Sequence, residues 1–201
     1  MSNIFCVTNR KLCQGDFLKR IEQIAACRPK GMILREKDLT PEEYRKTAIA
    51  VMGICSRYGV KCILHSFYDI AISLQADALH LPLHLLKKMS KEERGQIPIL
   101  GASCHSIEEA LKAQALGCTY ITAGHIFETN CKKGLPGRGI QFLQNVCEAV
   151  KIPVYGIGGI DVNNISQIWG TGAKGVCLMS SLMISDDIEG LMKDMEGQCE
   201  I

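Results

Sequence analysis

The chain reads as an α/β protein, a single (β/α)8 TIM barrel domain spanning residues 1–201. Three observations predict it. Short apolar runs recur at a nearly regular pitch, each is followed by a helical pattern, and no proline- or serine-rich linker interrupts the series. The runs are mostly continuous rather than alternating, as expected of strands buried on both faces of a parallel sheet. Eight such units in about 200 residues suit a barrel at the compact end of its size range. A doubly wound open sheet is the rival. It would normally place Gly-x-Gly-x-x-Gly after its first strand, and Thr8-Asn9-Arg10-Lys11-Leu12 has no such form.

The runs, in order, are 4–8, 31–34, 61–64, 77–81, 97–101, 120–123, 153–157 and 175–179. Between them the helix starts are legible. Thr40-Pro41-Glu42-Glu43 has an N-cap Thr, Pro in the first turn and Glu at the third position. Ser106-Ile107-Glu108-Glu109 repeats the form, apolar residues continue at helical spacing to Leu116, and Gly117 stops the helix. Asp161-Val162-Asn163-Asn164 is expected to begin another.

Composition narrows the class. With 47% hydrophobic residues the chain can bury a substantial core, and a net charge of +2 argues against a nucleic-acid binder working by bulk charge. The 11 cysteines are scattered and never form Cys-x-x-Cys. They read as small buried hydrophobes in a reducing cytoplasm, not as a disulfide framework or zinc site. The first ten residues lack the form of a signal peptide, and no apolar stretch approaches the ~20 residues of a membrane span. The expectation is therefore a cytoplasmic protein with neither a nucleic-acid nor a membrane partner.

Barrel chemistry gathers at the C-terminal ends of the strands. There the sequence puts Arg35-Glu36-Lys37-Asp38, His65-Ser66-Phe67, His80 and His84, Gly101-Ala102-Ser103-Cys104-His105, and Gly124-His125. His105 reads as a helix-start or packing residue, and His80 and His84 read as structural. After the seventh run comes Gly156-Ile157-Gly158-Gly159-Ile160, and after the eighth Met179-Ser180-Ser181. Loops at these two places commonly hold phosphate, because glycines let backbone N–H groups approach an anion and a helix start favours it. Gly158, Gly159, Ser180 and Ser181 are the candidate phosphate ligands. His125 stands at the catalytic rim, and imidazole can take and give a proton near neutrality. Lys132, Lys133 and the glycines at 134, 137 and 139 follow in a loop with the character of a lid.

The segment Gly124-His125-Ile126-Phe127-Glu128-Thr129-Asn130-Cys131-Lys132-Lys133-Gly134 closely resembles the loop of TenI-type thiazole tautomerases. Leu34-Arg35-Glu36-Lys37, Gly101–His105, Gly156–Ile160 and Val176–Ser181 are similar to the wider superfamily shared with thiamine phosphate synthase. The resemblance implies a small-molecule thiazole phosphate substrate bound by Arg35, Glu36, Lys37, Ser103, Thr129 and Lys132. It also implies phosphate on the strand-seven and strand-eight loops, His125 as the acid–base residue, and a homodimer, since barrels of this family commonly pair. The synthase joins a pyrimidine diphosphate to a thiazole phosphate and uses Mg²⁺. Its Asn-Asp-Arg motif corresponds here to His65-Ser66-Phe67, its second acidic ligand falls about where Leu85 stands, and its Gln at the second strand is replaced by Ile33. Hard Mg²⁺ wants carboxylate and amide oxygens, so the resemblance implies no metal and no cofactor, with diphosphate recognition dismantled although Thr129 and Lys132 persist. The expectation is a metal-independent thiazole tautomerase. A thiamine phosphate synthase and a non-catalytic regulatory TenI-like protein are the alternatives.

Overall fold

The computed structural model describes residues 2–132 and 134–197. Eight parallel strands close into a barrel in chain order, from β1 to β8. They are β1 (Ile4–Val7), β2 (Gly31–Leu34), β3 (Cys62–His65), β4 (Ala78–Pro82), β5 (Ile99–Cys104), β6 (Tyr120–Gly124), β7 (Val154–Ile157) and β8 (Gly175–Leu178). The helices are α1 (Phe17–Ala26), α2 (Pro41–Arg57), α3 (Tyr68–Ser73), α4 (Leu83–Leu86), α5 (Lys91–Gly95), α6 (Ile107–Ala115), α7 (Gly139–Ala149), α8 (Ser180–Ile184) and α9 (Ile188–Gly197). None of them is long and apolar enough to cross a membrane.

The predicted starts of α2 and α6 are present. Thr40 and Glu43 form a reciprocal capping box, and Ser106 accepts from the Glu109 N–H. The helix expected from Asp161 is a tight turn followed by a single 3-10 turn at Ile165–Gln167. The polar side chains explain the difference. Asn164 Oδ1 accepts from the Asp161 N–H at 2.9 Å, Asp161 Oδ1 accepts from the Asn163 N–H at 2.8 Å, and Asn164 Nδ2 donates to the Gly159 carbonyl at 2.8 Å. Local side-chain bonds of this kind compete with helix propagation.

Strand parity sorts the core into two bodies. Outward residues such as Ile4, Leu34, Leu64, Leu79, Ala102, Ile121 and Val176 pack under the helices. Inward residues fill the barrel, where Phe5, Tyr120 and Tyr155 lock together with ring centroids 4.7–5.9 Å apart. Two glycines make room for these rings. A Cβ on Gly101 would lie 2.2 Å from the Tyr120 ring, and one on Gly31 would lie 2.9 Å from the Phe5 ring. Above this aromatic layer the inward positions turn polar: His65, His80, Ser103 and Thr122. They form neighbouring pairs in the sheet, His65 beside His80 and Ser103 beside Thr122.

Candidate functional site

The polar layer is the floor of a cavity of about 290 Å³ at the C-terminal mouth of the barrel. His80 at its centre is 2% exposed and spans two strands. Its Nδ1 lies 3.0 Å from the Tyr120 hydroxyl and its Nε2 lies 2.8 Å from Ser103 Oγ. The His65 ring stacks against it at 5.9 Å, with Nδ1 2.8 Å from Ser66 Oγ. Burial pushes the His80 imidazole down to about 3. Burial first, then His80, Arg35 and Lys37, drive His65 in the same direction. At neutral pH both rings are therefore uncharged, each presenting one donor and one acceptor.

The seventh- and eighth-strand loops form one wall. Gly158, Gly159, Ser180 and Ser181 all line the cavity, as expected of phosphate ligands, and Ser180 opens the short helix α8. Both glycines have positive φ, +100° and +69°. Packing requires them as well. A Cβ on Gly158 would meet the His125 Cβ at 2.3 Å, and one on Gly159 would meet the Glu128 carbonyl at 2.3 Å. The turn is thus wedged against the β6–α7 loop while lining the cavity.

A second group of lining residues is cationic. Arg35, Lys37 and Lys132 line the cavity together with Thr129, and Ser103 lines it as well. Among the described residues none of these three cations forms an ion pair with a carboxylate; the salt bridges lie elsewhere. Burial, then the fields of Arg35 and Lys132, hold the Lys37 ammonium below its ordinary range. Lys133 lies outside the described residues.

Glu36 departs from the expected substrate-binding set. It is 2% exposed and does not line the cavity. Its carboxylate accepts from the Thr8 hydroxyl at 2.7 Å and from the Arg10 N–H at 3.0 and 3.1 Å, tying β1 to β2. Alternation is the reason. Ile33 and Arg35 face inward, so Leu34 and Glu36 face outward. Asp38 is likewise committed, bidentate to Arg10 at 2.6 and 2.9 Å.

His125 lines the cavity beside Gly158 and is 7% exposed. Its Nε2–H donates to the Leu135 carbonyl at 3.2 Å, within the loop that the sequence suggests as a lid. That loop is closed at its base, where Arg138 N–H donates to the His125 carbonyl and Gly139 N–H to the Ile126 carbonyl, both at 2.9 Å. A Cβ on Gly137 would come within 2.5 Å of the Ile126 carbonyl, so this glycine serves close packing. His105 also reaches the cavity while its Nδ1–H donates to the Gly124 carbonyl at 2.7 Å. Sequence reasoning placed His80 and His105 in packing roles and passed over Thr122. Counting strand parity from Tyr120 and from Ala78 would have turned Thr122 and His80 inward.

The donor set does not fit Mg²⁺. No Asp or Glu lines the cavity, and the described residues contain no group of three or more His, Cys, Asp or Glu able to hold a metal ion. Hard divalent cations take oxygen ligands, carboxylates above all, and the acids beside Arg35 and Lys37 in the chain, Glu36 and Asp38, are engaged with Thr8, Arg10 and Lys11.

Comparison with known proteins places the chain. It is 35% identical over 201 residues to a thiamine-phosphate synthase of Fusobacterium nucleatum, covering 95% of this chain and 96% of that one. It is 36% identical over 194 residues to thiamine-phosphate synthase 2 of Streptococcus pneumoniae serotype 4, covering 92% and 90%. A thiamine phosphate pyrophosphorylase from Pyrococcus furiosus superposes with a TM-score of 0.84 at 25% identity, covering 98% and 95%. These relatives overturn the tautomerase expectation. The loop resemblance behind it spans about a dozen residues and the missing Mg²⁺ ligands are a few positions more, whereas the synthase likeness runs the length of the chain. The proton-shuttle role given to His125 belonged to that reaction and goes with it. Residues 4–182 match the family model described as thiamine monophosphate synthase, and the chain belongs to this TMP-TENI family.

Proposed function

We propose that the chain is a thiamine-phosphate synthase, a transferase of thiamine biosynthesis that joins hydroxymethylpyrimidine diphosphate to thiazole phosphate. In that reaction the thiazole nitrogen attacks the exocyclic methylene carbon of the pyrimidine. A C–N bond forms, the C–O bond to diphosphate breaks, and the bonding pair leaves with the diphosphate oxygen. The observation that carries the reading is that one cavity is lined both by the strand-seven and strand-eight loops and by three cations, Arg35, Lys37 and Lys132. A transferase joining two phosphorylated molecules needs donors for two sets of phosphate oxygens.

In this reading Gly158, Gly159, Ser180 and Ser181 hold the thiazole phosphate through backbone N–H and hydroxyl donors. Arg35, Lys37 and Lys132 take the diphosphate and stabilise the charge that develops as it leaves. The neutral floor of His65, His80 and Ser103 offers donors and acceptors to an uncharged ring without placing a carboxylate beside the leaving anion. Positioning two substrates in line supplies much of the rate in such a transfer.

The test is product formation. Purified protein given both substrates, with MgCl2 or with EDTA, is expected to release thiamine phosphate, read by chromatography. Ser181→Ala is expected to raise KM for the thiazole phosphate by about tenfold, the scale of one hydrogen bond to a charged group. Absence of product under both conditions removes the reading.

A further inference from the structure

We infer that the diphosphate is held here by Arg35, Lys37 and Lys132 in place of a divalent cation, so that bare, metal-free diphosphate is the form this site binds. The inference rests on the transferase reading for its substrate, and on the cavity wall for its physics. A Mg²⁺ bridge between protein and diphosphate needs acidic or amide oxygens aimed into the site. The wall supplies none. β3 ends in a neutral imidazole, His65, which stacks on His80 and bonds to the hydroxyl of Ser66, the residue that follows it. The two carboxylates of the neighbouring rim are turned outward and consumed by Thr8, Arg10 and Lys11.

The cations themselves are the second observation. Three positive side chains converge on a cavity whose lining, among the described residues, contains no Asp or Glu. Like charges at close range are destabilising and are normally relieved by interleaved acids. Here the field of Arg35 and Lys132 at Lys37 is left uncompensated, and Lys132 arrives from a different part of the chain, on the 3-10 turn Asn130–Lys132 between β6 and α7. A polyanion is the ligand chemistry that relieves all three at once. A divalent cation brought beside them would add to the repulsion.

The two modes of binding predict opposite signs. If a metal bridges protein and diphosphate, added Mg²⁺ strengthens binding. If the three cations do the work, Mg²⁺ neutralises the anion in solution and weakens it. The experiment is calorimetric titration of the protein with inorganic diphosphate, in EDTA and in excess MgCl2 at matched ionic strength. We expect binding in EDTA and weaker binding in MgCl2. Arg35→Gln, Lys37→Gln and Lys132→Gln are each expected to lower affinity in EDTA by about tenfold, and Lys132→Arg to retain it. Unchanged thermal melting of these variants serves as the check on folding, since substitutions of surface side chains ordinarily leave stability nearly unaltered. Binding that appears only with MgCl2 overturns the inference, and so does EDTA binding that survives all three Gln substitutions together. The outcome is separate from the product assay. Metal-free diphosphate binding without product formation removes the transferase reading alone, and product formation with Mg²⁺-dependent binding removes this inference alone.

Discussion

The lower and upper halves of the barrel interior are built from the same strands, two residues apart, and obey opposite rules. Below, Phe5, Tyr120 and Tyr155 interlock over glycine notches at 31 and 101, and no space is left. Above, His65, His80, Ser103 and Thr122 line a cavity with three unneutralised cations in its lining. The lower half gains stability from close packing. The upper half keeps polar groups and like charges together, which close packing does not require. Tyr120 joins the halves, its ring in the lower body and its hydroxyl on His80.

The comparison is broken most severely from below. Phe5→Ala removes a ring that contacts both tyrosines and is expected to cost about 3–5 kcal/mol, as large-to-small aromatic changes in cores do. Urea denaturation measures it, and a loss below 1 kcal/mol would mean that the aromatic layer is not what holds the barrel.

A smaller effect is expected on the outer side of the polar rim. Glu36→Ala leaves the Thr8 hydroxyl and the Arg10 N–H without their acceptor. The expected cost is about 1–3 kcal/mol, the penalty of unsatisfied buried donors. Because Glu36 faces away from the cavity, diphosphate affinity of the folded variant should change less than threefold. A tenfold loss of affinity at unaltered stability would restore Glu36 to the ligand-binding set.

The upper half alone should respond to acid. An unfolded histidine titrates near 6.5, whereas folded His80 titrates near about 3 and His65 is shifted the same way. Between these values the unfolded chain binds protons that the folded one refuses. Stability is therefore full above about pH 6.5 and erodes as pH falls toward about 3, by up to about 1.4 kcal/mol per pH unit for each ring. The urea midpoint followed from pH 7 to pH 4 measures the slope. His80→Gln should flatten it, and a slope unchanged by that substitution would assign the acid sensitivity elsewhere.

The barrel was legible because its evidence is repeated: continuous apolar runs at even pitch have few alternative explanations, and each is corroborated by the next. Single-residue roles lack that redundancy. The place of Gly158, Gly159, Ser180 and Ser181 in the cavity lining was readable, because the fold dictates which loops border the mouth. The Asp161 segment was misread because Asp and Asn open helices and also close tight turns, and here their side-chain bonds chose the turn. Glu36 was misread because a charged cluster after a strand conceals its own alternation, which sends Arg35 inward and its neighbour out. The reaction was misread because a distinctive loop of a dozen residues and the missing Mg²⁺ ligands together outweighed the full-length pattern. Convergence of Lys132 with Arg35 and Lys37 is invisible to sequence, since 95 positions separate Lys37 from Lys132 and only closure of the barrel brings them to one cavity.

The wedge between the two glycines and the β6–α7 loop has an evolutionary consequence. Gly158 and Gly159 touch His125 and Glu128 so closely that neither can acquire even a methyl group alone. The turn after β7 and the loop that carries Lys132, both in the cavity lining, must therefore drift together, by paired changes. A lineage altering specificity at this mouth would find the routes through Arg35, Ser103 or Ser181 open long before the one through these two positions.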